Sequence, residues 1–255
     1  MLKFFRNIRK KLIEQEHVRK YILYAVGEIL LVVIGILIAL QINNWNQERQ
    51  EQQQLEASLL LMQLNLKEDI KKLEDQIAYN ESIQKHIDTF FKMVANPEGT
   101  KHIPLNDIGD VAREKSFYSV TTALRSMESG GHFKWITDDT LLEAIYTYYA
   151  DTERFSKMVE DHNQFARDYV EAFAYKNWDL ADYVSGINPY LEKRTARIDN
   201  RKVVLENVEF ESIVVGRKLK TNEEIGWAKE AKERAKTLHE TIESYLNHMN
   251  KAQHQ

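Results

Sequence analysis

Histidine is the residue type in this chain that most directly suggests chemistry, because its imidazole ring binds metals and transfers protons near neutral pH. The sequence contains eight His and no Cys. Without Cys it holds no disulfide bond, thiolate metal site, cysteine nucleophile or cysteine-linked lipid. A zinc peptidase would need H-E-x-x-H, which places two His on one helix face, and this motif is absent. We therefore expect no metal and no cofactor.

Two histidines have a glutamate at helical spacing, but neither pair is part of a larger set of metal ligands. Glu-x-x-His occurs once, at Glu14 and His17, whereas a di-iron bundle needs two copies on inward-facing helices. His239 and Glu243 are four residues apart, a spacing that more often gives a surface hydrogen bond or ion pair than a metal site. His162 falls on an apolar stripe, which is typical of a core histidine with a hydrogen-bond partner.

Two other catalytic signatures are also missing from the sequence. There is no glycine-rich phosphate loop, and no G-x-S-x-G elbow that would present a serine nucleophile. We therefore predict a non-enzymatic protein, and an enzyme of unrecognised type remains a weaker hypothesis.

The composition predicts an all-α fold. Gly and Pro together supply only 12 of 255 residues, nine and three respectively, while 29% of residues are charged. This combination disfavours a sandwich, a barrel or a disordered chain and favours long helices. We expect one N-terminal transmembrane helix that continues into an extracytoplasmic antiparallel helical bundle.

The strongest single feature is an apolar segment over residues 21–40, in which Glu28 is the only charged residue. As a helix it would be about 30 Å long, the thickness of a hydrocarbon core. A cleaved signal peptide would be shorter and would end in small residues, and a buried soluble helix would seldom have a basic flank on one side only. We predict a cytoplasmic basic segment over 1–20, a transmembrane helix over 21–42 and a periplasmic bundle over 43–255.

The charge distribution predicts the orientation of this helix. Residues 1–20 contain seven cations and two anions, whereas residues 41–255 contain 28 cations and 36 anions. Positive charge flanking a span stays on the cytoplasmic side, so the body is expected outside the cytoplasm of a bacterial inner membrane. A basic head separated from an acidic body by an apolar segment fits a lipid bilayer partner and argues against nucleic acid.

Residues on both sides of the span have the types that membrane interfaces favour. Tyr21, Tyr24 and Trp45 are predicted interface anchors. Residues 2–13 form a basic amphipathic pattern that predicts lipid headgroup contact. Its cations are Lys3, Arg6, Arg9, Lys10 and Lys11. The alternative is a solvated basic flank that only sets topology.

Within the span, Glu28 is the most informative residue. A lone ionised carboxylate at this depth is costly, on the order of 2.5–3.5 kcal/mol on insertion scales. Gly35 and Ala39 form a small-xxx-small pair that lets helices approach closely. We predict an intramembrane helix contact through Glu28, Gly35 and Ala39. A proton-linked role, or a neutral Glu28 that reaches interfacial water, are the alternatives.

The N-terminal region resembles a group of uncharacterised single-pass membrane proteins from Bacteroidota. The resemblance is carried by residues 3–6, 8–9, 24–29 and 34–46, which read KFFR, IR, YAVGEI and IGILIALQINNWN. It is specific over about residues 1–46 and diffuse beyond them. It implies a bacterial inner-membrane protein with a helical body outside the cytoplasm, and it brings no catalytic role.

The body is expected to contain three long helices with shorter ones between them. Apolar residues at steps of three and four, from Leu55 to Ile77, extend the span as one helix to about residue 95. Further helices are predicted over 107–128, 138–178 and 222–250, with a loop near Gly186 and Pro189. The apolar clusters within 202–219 fit either a strand or a buried helix.

An aromatic-rich region lies where the second and third predicted body helices meet. Its residues are Phe117, Tyr118, Phe133, Trp135, Tyr146, Tyr148 and Tyr149. Aromatic residues at helical spacing are usually core, so we favour that interpretation over a binding surface. The leading functional hypothesis is a membrane-anchored accessory protein that docks on a membrane or envelope protein, or on copies of itself. The alternative is a periplasmic ligand-sensing module that acts through a separate signalling partner.

Overall fold

The computed structural model describes residues 18–183 and 195–253, with side chains described for 22–105, 108–181 and 195–251. Throughout these residues every regular element is a helix and none is a strand, so the all-α prediction is confirmed for this part of the chain. The chain divides into two compact units, Met1–Leu55 and Glu56–Gln255.

Helix α1, Val18–Ala95, is by far the longest element. It ends at the predicted position, because the proline at residue 97 cannot continue a helix. In the first unit, the side chains of residues 22–45 are exposed except for those of Ala25 and Glu28, which are half-buried. By length and composition, α1 is long and apolar enough to cross a membrane. No residue of its most apolar stretch is buried.

In the second unit, α1 supplies one apolar stripe to the core. The buried residues of this stripe are Leu59, Met62, Leu66, Leu73, Ile77, Ile83, Ile87, Phe90 and Met93. Their spacing keeps them on one face, as the sequence predicted. Five polar residues, Ser58, Asn65, Asp69, Gln76 and Asn80, are buried along the same helix.

The segment after α1 differs from the predicted helix over 107–128. It contains the short helix α2, Asn106–Gly109, a 3₁₀ turn, Asp110–Ala112, and then non-helical backbone until α3, Thr122–Gly130. The prediction was wrong for residues 113–121 because buried side chains bind their backbone groups in place of a helical ladder. Gly131 ends α3 with a φ of 65°, a left-handed conformation that favours glycine. A second 3₁₀ turn, His132–Trp135, follows.

Helix α4, Asp139–Phe165, has Asp138 as its N-cap, whose side chain accepts hydrogen bonds from the backbone N–H groups of Thr140 and Leu141. A π-helical segment, Ala166–Glu171, joins it to α5, Ala172–Asn177. The wider π turn shifts the buried face by one residue, so Val170 is buried and Tyr169 is exposed. Tyr169 follows Phe165 at a helical spacing of four, yet it lies outside the buried face.

The remaining described helices are α6, Leu180–Tyr183, α7, Asn200–Glu206, and α8, Val208–Gln253. The predicted loop at Gly186 and Pro189 lies outside the described residues. Of the two alternatives for residues 202–219, a strand or a buried helix, the structure shows helix. Helix α8 therefore begins well before the predicted residue 222. Gly216 allows α8 to approach α4 closely, because a Cβ there would lie 2.8 Å from the Phe165 ring.

Two hydrophobic clusters of the second unit flank the candidate site. One holds Ile83, Ile87, Phe90, Phe210 and Val214, among others, and the Phe90 and Phe210 rings meet edge-on at 5.6 Å. The other holds Leu73, Phe117, Phe155, Val159 and Ala228, among others. Between these positions along α1, α4 and α8 lie the buried polar residues that form the candidate site.

Candidate functional site: a buried polar cluster

Glu224 on α8 lies at the centre of a buried polar cluster and is only 2% exposed. Its Oε1 lies 3.0 Å from Nδ1 of His162 on α4. Its Oε2 accepts hydrogen bonds from two amides of α1, Gln76 Nε2 at 3.2 Å and Asn80 Nδ2 at 2.8 Å. One carboxylate thus joins three helices. Its burial is tolerable because both oxygens are bonded.

Arg217, about two turns of α8 before Glu224, is a second buried charged residue. Its guanidinium donates to three backbone carbonyls, those of Val111 at 3.3 Å, His162 at 3.4 Å and Arg113 at 2.9 Å. Arginine suits this task because its planar fork presents several N–H donors at fixed angles. The side chain fastens the start of the non-helical segment to α4 and α8.

Asp69 on α1 holds the other end of that segment. Its Oδ1 accepts from the backbone N–H of Val120 at 2.8 Å, and its Oδ2 accepts from the Tyr148 hydroxyl at 2.9 Å. Burial raises the pKa of Asp69 from 3.8 to about 6, against the lowering effect of these two hydrogen bonds. Burial and the nearby Asp69 carboxyl also raise the pKa of Tyr148, so its hydroxyl stays protonated and donates.

Between these ends, buried amide side chains bind the backbone at Lys115. The carbonyl of Lys115 accepts from Gln76 Nε2 at 3.4 Å and from Asn163 Nδ2 at 3.2 Å. Residues 113–121, which we call the strap, therefore receive hydrogen bonds from α1, α4 and α8. These bonds replace the ladder that a helix would have made, and they explain why the strap is extended.

The His162–Glu224 pair has the composition of a general base with its orienting carboxylate. Its geometry, however, places a carboxylate on each side of the ring. Nδ1 faces Glu224, and Nε2 lies 3.6 Å from Oε2 of Glu223. The prediction of a satisfied core histidine is confirmed. Within the described residues, no group of three or more His, Asp or Glu is placed to hold a metal ion.

The second unit also has two surface cavities, and the smaller one borders the strap. One, of about 540 Å³, is lined mainly by residues 101–105 and 196–201, and the other, of about 210 Å³, is lined by residues around Lys72 and Lys115. Arg201 in the larger cavity already donates to the carbonyls of Ile103 and Thr100. Lys101, also in its lining, pairs with Glu98. Two cations that line the larger cavity, Arg201 and Lys101, therefore already have partners within the fold.

The aromatic region is divided between core and surface. Phe117, Tyr148 and Tyr149 are buried, which supports the core interpretation for these three. Tyr118 and Tyr146 are exposed, and Tyr146 lies 5.1 Å from the half-buried Phe133 ring. These two tyrosines are not core residues, although aromatic residues at helical spacing usually are. Tyr118 lies on the strap, and Tyr146 lies on the outer side of α4.

The residues predicted to act in the membrane remain predictions. Glu28 is half-buried, Ala39 is exposed, and a Cβ on Gly35 would meet nothing within 4 Å. Tyr24 and Trp45 are exposed, as interface anchors would be. The Tyr21 side chain lies outside the described residues. So do the five cations of the headgroup prediction, Lys3, Arg6, Arg9, Lys10 and Lys11.

Most of the buried cluster was not predicted from the sequence. The missed residues are Asn65, Asp69, Gln76, Asn80, Arg217 and Glu224. For Asp69, Gln76 and Asn80 on α1, the spacing did indicate burial. They continue the steps of three and four that run through the buried residues Leu66, Leu73 and Ile83. Only their polarity argued against burial, and partners from other helices were not visible in the sequence.

The described chain is thus an all-helical protein with one helix that could span a membrane. Comparison with known proteins adds a match to a family of unknown function (DUF6090), over residues 28–95. The matched region begins at Glu28 and ends at Ala95, the last residue of α1. No curated protein matches the chain, and no solved structure matches it.

Proposed function

We propose that the protein is a single-pass protein of a bacterial inner membrane whose helical body acts outside the cytoplasm as a non-enzymatic interaction partner. The observation that carries this proposal is the exposed apolar surface of residues 22–45, with a mean hydropathy of 2.7 over its apolar window. So large an apolar surface is unfavourable in water and favourable in a bilayer. The basic residues before it support a cytoplasmic N-terminus.

The buried polar cluster supports a structural rather than a catalytic body. His162, Glu224, Arg217 and Asp69 each bind another helix or the strap, so their polar atoms are used to hold the fold together. The long helices are proposed to form an antiparallel bundle, with α4 packed along α8. On this view the anchor keeps a rigid helical surface beside other membrane or envelope proteins.

The orientation can be tested with single cysteines because the chain has none of its own. A membrane-impermeant maleimide is applied to spheroplasts that carry Glu230→Cys, an exposed body position, or Lys10→Cys in the basic segment. We expect the first to be labelled in intact spheroplasts and the second only after permeabilisation. The reverse pattern would overturn the orientation, and equal labelling of both would overturn the span.

The interaction role is tested by purifying the full chain in gentle detergent and measuring its native mass. We expect a defined assembly, either with a stoichiometric partner or between copies, that is weakened by Glu28→Ala or Gly35→Leu. Leu37→Ala is the matched control, because a rotation of about 100° per residue places Leu37 on the opposite face from Glu28. A lone monomer in every sample would contradict the proposal, as would equal weakening by the control.

A further inference from the structure

Two adjacent residues of α1 in the second unit have the opposite of their usual environments. Leu64 is 62% exposed, while Asn65 beside it is 6% exposed. Leu60 and Leu61 are also exposed, at 47% and 39%. Asn65 is buried for an identifiable reason, since its Oδ1 accepts from Thr122 Oγ1 and from the backbone N–H of Ala123. These bonds explain the burial of Asn65 but not the exposure of the leucines.

The exposed leucines form a second apolar face on α1. We call Ala57, Leu60, Leu61 and Leu64, all exposed, the leucine strip. Ala57, Leu60 and Leu64 follow each other at steps of three and four, which are the a and d positions of a heptad. The buried residues Leu59, Met62 and Leu66 fall at positions c and f, so they lie away from this seam. Lys67 occupies the next d position and ends the apolar strip.

We propose that the leucine strip binds the same strip of a second copy of this chain, as a short parallel helix pair. The proposal deepens the interaction role given above and rests on the membrane anchor of that role. Two copies anchored in one bilayer point the same way, and the same number of residues separates each strip from its span. Identical strips therefore meet in register, as a two-fold symmetric contact requires.

The size of the strip also favours a tethered second copy over a freely diffusing partner. A stable interface between soluble proteins buries about 800 Å² on each partner, and three partly exposed leucines and one alanine supply only a fraction of that. A contact this small forms when its partners are already held close together, because the tether raises their effective concentration. A shared bilayer provides that tether for copies of this chain.

The test uses Leu64→Cys in the full chain, in native membranes treated with a mild oxidant. A disulfide needs Cβ atoms about 3.5–4.5 Å apart, so a dimer formed through a single cysteine reports symmetric contact at that residue. The matched control is Glu240→Cys on α8. It is exposed at the same level of the bundle, because Gln63 Nε2 donates to the carbonyl of the preceding residue, His239.

We expect about tenfold more disulfide-linked dimer from Leu64→Cys than from Glu240→Cys, since only the first lies on the seam. Adding Leu60→Lys to Leu64→Cys should remove most of that dimer, because it places like charges opposite each other. Equal dimer from both single-cysteine chains would overturn the proposal, and so would no dimer from either. A photo-crosslinker at residue 64 that captured a different protein in place of a second copy would also overturn it.

Membrane extraction of the same samples separates this inference from the proposed function. Chains that remain in carbonate-washed membranes without a Leu64→Cys dimer would overturn the leucine pair and leave the anchor intact. Chains released into the soluble fraction would overturn the anchor and, with it, the tether on which the pair depends.

Discussion

The Tyr148 hydroxyl donates to Asp69 Oδ2 at 2.9 Å, inside the second unit and beside the strap. The other carboxylate oxygen accepts from the backbone N–H of Val120. One buried carboxyl therefore connects α1, α4 and the strap. Burial raises the pKa of this carboxyl to about 6, so its protonation changes in the mildly acidic range.

This carboxyl should make the stability of the body depend on pH. Because its pKa is higher in the folded chain than its ordinary value of 3.8, the folded state holds the proton more tightly. The resulting stabilisation is complete below pH 3.8 and is lost as the pH rises through about 6. Asp69→Asn keeps a neutral polar group there and should remove this dependence.

We therefore expect the unfolding free energy of the wild type, relative to Asp69→Asn, to fall by up to about 3 kcal/mol between pH 4 and pH 8. Urea unfolding of the full chain in detergent, followed by tryptophan fluorescence at several pH values, measures this difference. Asp75→Asn on the same helix, at an exposed position, is the control. A difference that stays constant with pH would show that Asp69 does not titrate in this range.

Glu224 should matter far more to stability than its neighbour Glu223. Glu224→Ala leaves His162, Gln76 and Asn80 without their shared acceptor, and each buried donor left unpaired costs about 1–3 kcal/mol. The side chain of Glu223 is 55% exposed, so Glu223→Ala should change the unfolding free energy by less than about 0.5 kcal/mol. Thermal unfolding of the two variants gives the comparison. Equal losses would mean that the buried cluster contributes nothing specific.

The parts of the fold that were predictable from the sequence depend on local signals. The end of α1 before the proline at 97, the Asp138 cap of α4 and the end of α3 at Gly131 follow from the chemistry of those residues alone. The buried stripe of α1 follows from its spacing. The apolar segment that could span a membrane follows from length and composition.

The parts that were not predictable depend on partners distant in sequence. The strap is extended because Arg217 and Asp69 bind its backbone from residues about 100 and 50 positions away. The polar cluster around Glu224 is visible only once α1, α4 and α8 are packed together. Tyr169 is exposed because a π turn adds a residue to its helical turn, and no local pattern in the sequence predicts that turn.

Asn65 should stabilise α3 by capping it from another helix. The N-cap residue of α3, Thr121, makes no capping bond with its own side chain, and Asn65 Oδ1 accepts the Ala123 N–H in its place. Asn65→Ala should lower the unfolding free energy by about 1–2 kcal/mol, as the loss of a helix cap does. Lys71→Ala, at an exposed position of the same helix outside the leucine strip, is the control, with an expected change below about 0.5 kcal/mol. If both variants unfold alike, the cap contributes no stability.

Replacing Gly131 or Gly226 with alanine should change the stability of the fold in opposite directions. Gly131 has a φ of 65°, where a Cβ is strained, so Gly131→Ala should destabilise the fold by about 1–2 kcal/mol. Gly226 lies within α8, and a Cβ at this position would meet nothing within 4 Å, so Gly226→Ala should stabilise the helix by about 0.5–1 kcal/mol. Melting temperatures of the two variants test this, with the wild type expected between them. A stabilised Gly131→Ala chain would show that the turn after α3 does not require the left-handed conformation.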